Sequence, residues 1–314
     1  MRVVVTGASG FMGSHLCAFL RSRGDHVTEV DLPHCDIVDT PHLTRVLGEA
    51  EPDHIYHLAA QAGVGISWQD PVSTWRSNAW GSLSVLKAVR SACPAAKTIV
   101  MSSASVFDGA RIDEPVGEDR TPAPLSPYGA SKLAVESAAR HYVAAYGLRV
   151  VLVRPFNVIG PGQGGGYLVP ALARRIATAV RSGTERVPIG NLETFRDFLD
   201  VRDVVQGLHM LMAGGEPGDI YNLCTGVAVS VRTIVETTIS LGGGRLEYFQ
   251  ESALVRREDV PTVVGDPGKV LALAGWRASV PLVTSLADVL AEAYAEVRLE
   301  QRLAPTASSA AAKP

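Results

Sequence analysis

A phenol and an ammonium stand four residues apart in PLSPYGASKLAVE, at Tyr128 and Lys132. On a helix that spacing sets both side chains on one face. The lysine's charge then favours the phenolate and brings the phenol's pKa down toward neutral pH, as a group that gives and takes a proton requires. The same ammonium can also hold a ribose hydroxyl. An ordinary solvated helix shows this spacing too, so the pair has meaning only with partners. Hydroxyls are at hand in IVMSSAS, where Ser102, Ser103 and Ser105 follow an apolar run. A serine and Tyr128 that meet over a nicotinamide can hydrogen-bond the oxygen of a substrate there.

A second constellation binds rather than reacts. VTGASGFMGSHL spaces Gly7, Gly10 and Gly13 as G-x-x-G-x-x-G between a predicted strand and the helix it opens. Glycines there let a pyrophosphate rest on the amides of a helix N-terminus, where the dipole favours negative charge. Asp31 ends the next strand about 20 residues on, placed to accept both hydroxyls of an adenosine ribose. That carboxylate repels a 2′-phosphate, and Leu32-Pro33-His34 brings no arginine to attract one. The expected cofactor is NAD(H) rather than NADP(H). In CDIVD, Asp36 is either a reader of the adenine amino group or a turn cap.

These residues need a scaffold that gathers them. RVVVTG, HVTEVD, HIYHLAA (54–60), KTIVMSS (97–103) and RVVLVRPF (149–156) read as strands. They alternate with helices over 11–24, about 40–50, within 71–92 and around Tyr128. Strands this apolar imply a parallel sheet covered on both faces, an α/β doubly wound fold of Rossmann type. Ligands of such sheets gather beyond the carboxyl ends of the strands, where the glycine loop and the serines fall. Glycines and prolines in NVIGPGQGGGYL end the regular pattern, and helices are expected at 168–182, 201–213, 230–241 and 284–303, with a strand at 219–226. The expected domains are a dinucleotide-binding one, 1–160 plus about 197–228, and a nucleotide-sugar-binding lobe, about 161–196 and 229–303. The tail 304–314 is expected to be disordered.

Composition excludes several classes of partner. With 29 basic and 32 acidic residues well mixed and a formal charge of −3, the chain has no basic face for nucleic acid and no polybasic stretch for a membrane surface. No apolar run reaches the roughly 18 residues of a membrane span. Cys17, Cys35, Cys93 and Cys224 are scattered without a C-x-x-C, and no histidine cluster has metal spacing. Reduced thiols, a cytoplasmic location and no metal are the expectation. His54 and His57 are expected to pack near the sheet.

The chain resembles the extended short-chain dehydrogenases/reductases, in the group of nucleotide-sugar epimerases, dehydratases and reductases. TGASGFMGSHL, HLAAQ, SSASVF, SPYGASK, RPFNVIGPGQ and RDFLDVRDV stand in the family's order and span nearly all of the chain before the tail. The resemblance implies Ser103, Tyr128 and Lys132 as the catalytic trio. It implies Leu58, Ala59 and Asn78 near the cofactor, with Phe11, Met12, Ile37, Ala60 and Pro155 completing the contacts. Asn157 and Arg196 would meet the diphosphate of a sugar nucleotide, Ser105 the sugar, and Arg256 a phosphate.

Arg256 lies in RREDVPTVVGDPGKV, which is similar to a segment of GDP-mannose 4,6-dehydratases and GDP-4-keto-6-deoxymannose reductases. Dehydratases of the group follow the catalytic serine or threonine with an acidic residue. Here Ala104 and Ser105 stand in that place, leaving no carboxylate to move the protons of an elimination. Reduction of a C4 ketone on a GDP-linked 4-keto-6-deoxyhexose is the first choice, and 4-epimerisation by tightly held NAD the second. A 3,5-epimerisation, a dTDP-linked keto-sugar reduction and a non-catalytic NAD sensor are lesser readings. Phe107-Asp108 departs from the Tyr-Gly usual after the serine motif. The resemblance also implies a homodimer formed through the 71–92 helix and the Tyr128 helix. Trp68, Trp75 and Trp80 are then core or interface.

Overall fold

The computed structural model describes residues 1–109, 114–243, 245–255 and 260–303. In chain order it begins with β1 (Arg2–Thr6), α1 (Phe11–Ser22), β2 (His26–Val30), α2 (Thr40–Ala50) and β3 (His54–His57). Then come α3 (Val64–Gln69), α4 (Pro71–Trp75), a π-helical turn at Arg76–Trp80, α5 (Gly81–Ala92), β4 (Lys97–Met101) and a 3₁₀ turn at Ala104–Phe107. Next are α6 (Pro127–Tyr146), β5 (Val150–Pro155), β6 (Asn157–Ile159), α7 (Leu168–Ser182), β7 (Arg186–Ile189), β8 (Phe195–Arg196), β9 (Phe198–Asp200) and α8 (Val201–Gly214). The described chain ends with β10 (Ile220–Leu223), β11 (Val229–Ser230), α9 (Val231–Leu241), β12 (Glu247–Gln250), β13 (Thr262–Val263), α10 (Gly268–Ala274) and α11 (Leu282–Leu303).

Six strands form one parallel sheet in the order β2-β1-β3-β4-β5-β10. Alternate residues of each strand feed opposite faces, which is why the strands are apolar throughout. Val3, Val5, Tyr56, Ile99 and Val153 pack with Leu16 and Leu20 of α1 and with Leu208 and Leu211 of α8. Val4, Ile55, Val100 and Leu152 pack on the other side with Leu43 and Leu47 of α2, Val85 and Leu86 of α5, and Val135 of α6. The α/β doubly wound expectation therefore holds, and the strand expected at 219–226 joins this sheet as β10 beside β5.

The chain divides into two compact units. The first comprises 1–159, 194–230 and 260–282, and the second 160–193, 231–259 and 283–314. The stretch 260–282, expected in the sugar lobe, belongs to the first unit. Its β13 adds to β8, the Trp276 indole donates to the Asp203 carbonyl at 3.1 Å, and a Cβ on Gly265 would collide with Phe156 and Cys224. These ties connect residues far apart in sequence, so periodicity carries no trace of them. In the second unit β12 pairs with β7, and α7 packs against β7 and α9. The 304–314 tail lies outside the described residues.

Candidate active site

Strand β1 turns sharply at Gly7, whose φ of +72° only glycine adopts without strain, and whose missing side chain lets Ala59 pass. A Cβ there would stand 2.6 Å from the Ala59 amide nitrogen. Gly13 is equally constrained, because a Cβ would overlap the Gly7 carbonyl oxygen and lie 2.8 Å from Ala8. Gly10 begins α1, and no side chain caps that helix end. Phe11, Met12 and Gly13 thus open a helix whose amides a phosphate can meet. This crossing of β1 and β3 is also where the strand order reverses, the place at which open α/β sheets take ligands.

Asp31 follows β2 as expected. Its Oδ2 accepts the Ser9 amide at 2.8 Å and the Ser9 hydroxyl at 2.6 Å, and its Oδ1 accepts the Leu32 amide at 2.9 Å. These bonds hold the carboxylate against the glycine loop and leave a lone pair of Oδ1 available to a ribose hydroxyl. Asp36 accepts the Val38 amide at 3.1 Å, so the structure shows the turn cap. Ile37 is buried in the core against Gly81. Three inter-strand gaps separate β2 from β4, roughly 14 Å at the usual spacing. That run fits an elongated dinucleotide laid across the strand ends.

The strand expected at 54–60 stops at His57, because the chain must leave the sheet to skirt Gly7. Leu58 is buried and its amide donates to the Thr6 carbonyl at 3.1 Å, while the Ala59 amide reaches the Thr6 hydroxyl at 3.3 Å. His57 bridges Thr6 at 2.7 Å and Ser82 at 2.8 Å, and burial drives its pKa down to about 3, so it stays neutral. Ala60 and Gln61 follow under the hold of Asn78, whose side chain accepts the Gln61 amide at 2.8 Å and donates to the Gln61 carbonyl at 3.2 Å. Asn78 sits in the π-helical turn, which interrupts the single helix expected over 71–92. The buried Gln61 Oε1 has no hydrogen-bond partner among the described residues. A polar ligand beside the glycine cradle suits it.

Ser103 follows β4 in extended backbone and caps the 3₁₀ turn, its Oγ accepting the Ser105 amide at 3.1 Å. That bond engages a lone pair of the hydroxyl and not its proton. Helix α6 starts with Ser126 capping the Gly129 amide at 3.0 Å and Pro127 at its first position, a pairing that fixes where helices begin. A Cβ on Gly129 would overlap the Ser105 carbonyl oxygen. The first turn of α6, and Tyr128 in it, is therefore pressed onto the Ser103–Ser105 segment.

Lys132 lies one turn further, its Nζ 5.9 Å from the Tyr128 ring centroid and donating to the Met101 carbonyl at 2.9 Å. It is buried, and desolvation lowers its pKa from 10.5 to about 8. Between the two, the Ser131 hydroxyl donates to the Tyr128 carbonyl at 2.7 Å and accepts from Asn78 at 3.0 Å. Ser103, Tyr128 and Lys132 are thus gathered at the end of β4, with Asn78 tied to the same helix turn.

Pro155 is buried at the end of β5. Asn157 and Arg196 sit on neighbouring pieces of the first unit: the Asn157 side chain donates to the Asp197 carbonyl at 3.0 Å, and Arg196 to the Phe195 carbonyl at 2.8 Å. Asp197 itself is fully buried, accepting from Thr225, Gly226 and Gly265. Arg256 lies outside the described residues. His57 packs at the sheet as expected, while the sequence reading assigned nothing to Thr6, Gln61, Ser82 and Ser131, which with it orient the expected residues. The one available signal was a histidine in a buried strand, which needs polar partners.

Comparison with known proteins supplies the context. Residues 3–224 match the model of the NAD dependent epimerase/dehydratase family. The chain is 33% identical to the GDP-6-deoxy-D-mannose reductase of Pseudomonas aeruginosa, over 95% of this chain and 99% of that protein. It is similar in structure to RMD from Pseudomonas aeruginosa complexed with NADPH, with a TM-score of 0.86, 31% identity, and 94% of this chain and 100% of that one covered. It is also similar to the Thermus thermophilus UDP-glucose 4-epimerase complexed with NAD, with a TM-score of 0.84, 30% identity, and 93% and 99% covered.

Proposed function

Because the chain belongs to the NAD dependent epimerase/dehydratase family, we propose that it reduces the C4 ketone of a nucleoside-diphosphate 4-keto-6-deoxyhexose, GDP-linked in the first instance. The observation that carries this reading is that the helix turn bearing Tyr128 and Lys132 is seated on the Ser103–Ser105 segment, where Ala104 and Ser105 occupy the place of an acid that elimination would need. The similarity to the Pseudomonas reductase supports the sugar class.

When bound, the reduced nicotinamide supplies the hydride. Gly7, Gly10, Phe11, Met12 and Gly13 would hold the pyrophosphate, and Asp31 the adenosine ribose. Asp36, Ile37, Leu58, Ala59, Ala60, Asn78 and Pro155 would line the remainder. Ser103 donates its proton to the ketone oxygen, and Tyr128 delivers a proton as that oxygen gains charge. Lys132, largely charged at pH 7, steadies the phenolate left behind and meets a ribose hydroxyl. Asn157, Arg196 and Ser105 orient the sugar nucleotide, with Arg256 on a phosphate. We assign the second unit a part in nucleotide-sugar recognition. Its Gly162 amide is fixed by both oxygens of Glu292, at 3.1 and 2.8 Å, just ahead of α7.

Asp31 favours NAD(H) over NADP(H). The Pseudomonas and Thermus proteins compared above are complexed with NADPH and with NAD, so the test offers both. Purified protein with GDP-4-keto-6-deoxymannose should oxidise stoichiometric NADH, more efficiently than NADPH. Interconversion of NDP-hexose epimers without added cofactor would instead establish the 4-epimerase, which Asp31 and the Thermus relative favour. No turnover with any nucleotide sugar defeats the proposal. The free thiols of Cys17, Cys35, Cys93 and Cys224 suit a reducing cytoplasm, and no helix of the described residues is long and apolar enough to cross a membrane.

We also assign a homodimer to the face made by α4, α5 and α6. Val72, Trp75 and Trp80 stand 77%, 43% and 58% exposed beside Leu83, Ala134 and Ala138, an apolar strip too large for one exposed accident. Trp80→Glu should convert the dimer to monomer in analytical ultracentrifugation while far-UV circular dichroism is unchanged. A wild-type monomer, or a variant still dimeric, rules this surface out.

A further inference from the structure

The strands of the sheet carry one arginine that no solvent reaches. Arg154 of β5 is 1% exposed and Glu136 of α6 is 0% exposed. Arg154 holds both carboxylate oxygens, Nε to Oε1 at 2.7 Å and Nη2 to Oε2 at 2.8 Å. The buried Ser102 hydroxyl donates to Oε1 as well, at 2.6 Å. The third guanidinium nitrogen reaches the Glu118 carbonyl at 3.3 Å, and the guanidinium carbon lies 4.7 Å from the centroid of the Phe107 ring.

These partners bracket the proposed chemistry. Ser102 immediately precedes Ser103, and its amide keeps it in the sheet through the Val153 carbonyl at 2.7 Å. Phe107 closes the 3₁₀ turn that Ser103 begins. Glu136 lies one helical turn beyond Lys132 and two beyond Tyr128, on the same face of α6. Two successive residues of the strand end are thereby tied to α6: Met101 by Lys132, Ser102 by Glu136. Arg154 grips the carboxylate of the second tie and the ring at the far end of the turn.

Stability does not explain such a group. Two charges taken wholly out of water lose solvation that their attraction regains only in part, and apolar residues of similar volume often serve a core as well or better. Building on the reductase reading above, we propose that Glu136, acting with Ser102 and Arg154, is a positioning residue that holds Ser103 in register with Tyr128 and Lys132 at the reacting oxygen. A displacement of about 1 Å among such groups can cost on the order of 10²-fold in rate.

The test is the triple variant Ser102→Ala, Glu136→Leu, Arg154→Met, alongside Ser102→Ala alone. The triple variant should melt no lower than wild type and bind dinucleotide within about threefold of it, since no cofactor contact is removed. Its kcat should fall about 10- to 100-fold with KM for the keto-sugar nearly unchanged. Ser102→Ala, which keeps the ion pair, should lose about three- to tenfold in kcat. A triple variant that turns over at the wild-type rate overturns the proposal, because a merely structural pair has then been replaced. Should the triple variant fail to fold, an unaltered kcat in Ser102→Ala overturns it equally. If the unaltered enzyme turns over no nucleotide sugar, the functional reading fails and takes the positioning role with it. Activity in wild type and triple variant alike defeats the positioning role alone.

Discussion

Replacing Tyr128 by phenylalanine should lower kcat by about 10²- to 10⁴-fold, equivalent to roughly 3 to 5 kcal/mol of barrier, while dinucleotide affinity stays within a fewfold of wild type. The change removes one oxygen and one proton. The contacts that set the first turn of α6 survive, because Ser126 and Pro127 fix the start of the helix, Gly129 seats the turn on the Ser105 segment, and Ser131 bonds the Tyr128 backbone. Lys132 keeps its Met101 contact. The alkoxide that forms on hydride arrival then has the Ser103 hydroxyl as a donor but loses the group assigned to protonate it. Stopped-flow absorbance at 340 nm with the keto-sugar checks this. A variant within tenfold of wild type would remove Tyr128 from the chemistry. Unchanged biological activity with cofactor still bound would favour the NAD-sensing reading.

How much of this the sequence disclosed depended on range. Gly7, Gly10 and Gly13 were readable because steric need for glycine is local, and Asp31 because a strand end sits a fixed distance beyond its glycine loop. Tyr128 and Lys132 were readable because helical spacing is itself a contact rule. By contrast, the sequence reading assigned nothing to Glu136 on the helix or to Arg154 in VVLVRPF. Their pairing becomes visible only when β5 is laid against α6. The two-residue strands β8, β11 and β13 are too short for periodicity, so 260–282 was expected in the wrong unit. Asn78 carried a role by resemblance, but the widened helical turn that holds it has no signature in RSNAW. The legible part was thus the pattern encoded by neighbours in sequence, and the illegible part was the buried polar scaffold joining distant elements.

Lys132→Met should separate activity from stability in opposite directions. Lys132 is 4% exposed, its ammonium donates to the Met101 carbonyl, and desolvation brings its pKa to about 8. Neighbouring His57, held neutral with a pKa of about 3, adds no second charge, and Glu136 is committed to Arg154. Below pH 8 both folded and unfolded chains carry the lysine proton, and the folded state bears the cost of keeping it dry. Between about pH 8 and 10.5 the unfolded chain binds a proton that the folded chain has released, so stability rises with pH through that window and the gain is complete above it. The rise is on the order of 3 kcal/mol. Methionine fills the same volume without charge, so the variant should be at least as stable at pH 7 and should lack this rise. Lys97, whose pKa burial also lowers, is common to both proteins and cancels in the difference. Catalysis moves the other way: without the ammonium the phenolate loses its neighbouring charge, and kcat should fall about 10²-fold or more, with weaker dinucleotide binding. Urea unfolding at pH 7, 9 and 10.5, paired with steady-state rates, tests both halves. A variant that is less stable at pH 7, or that keeps the alkaline rise, would show that Lys132 is not the strained group the fold retains for its reaction.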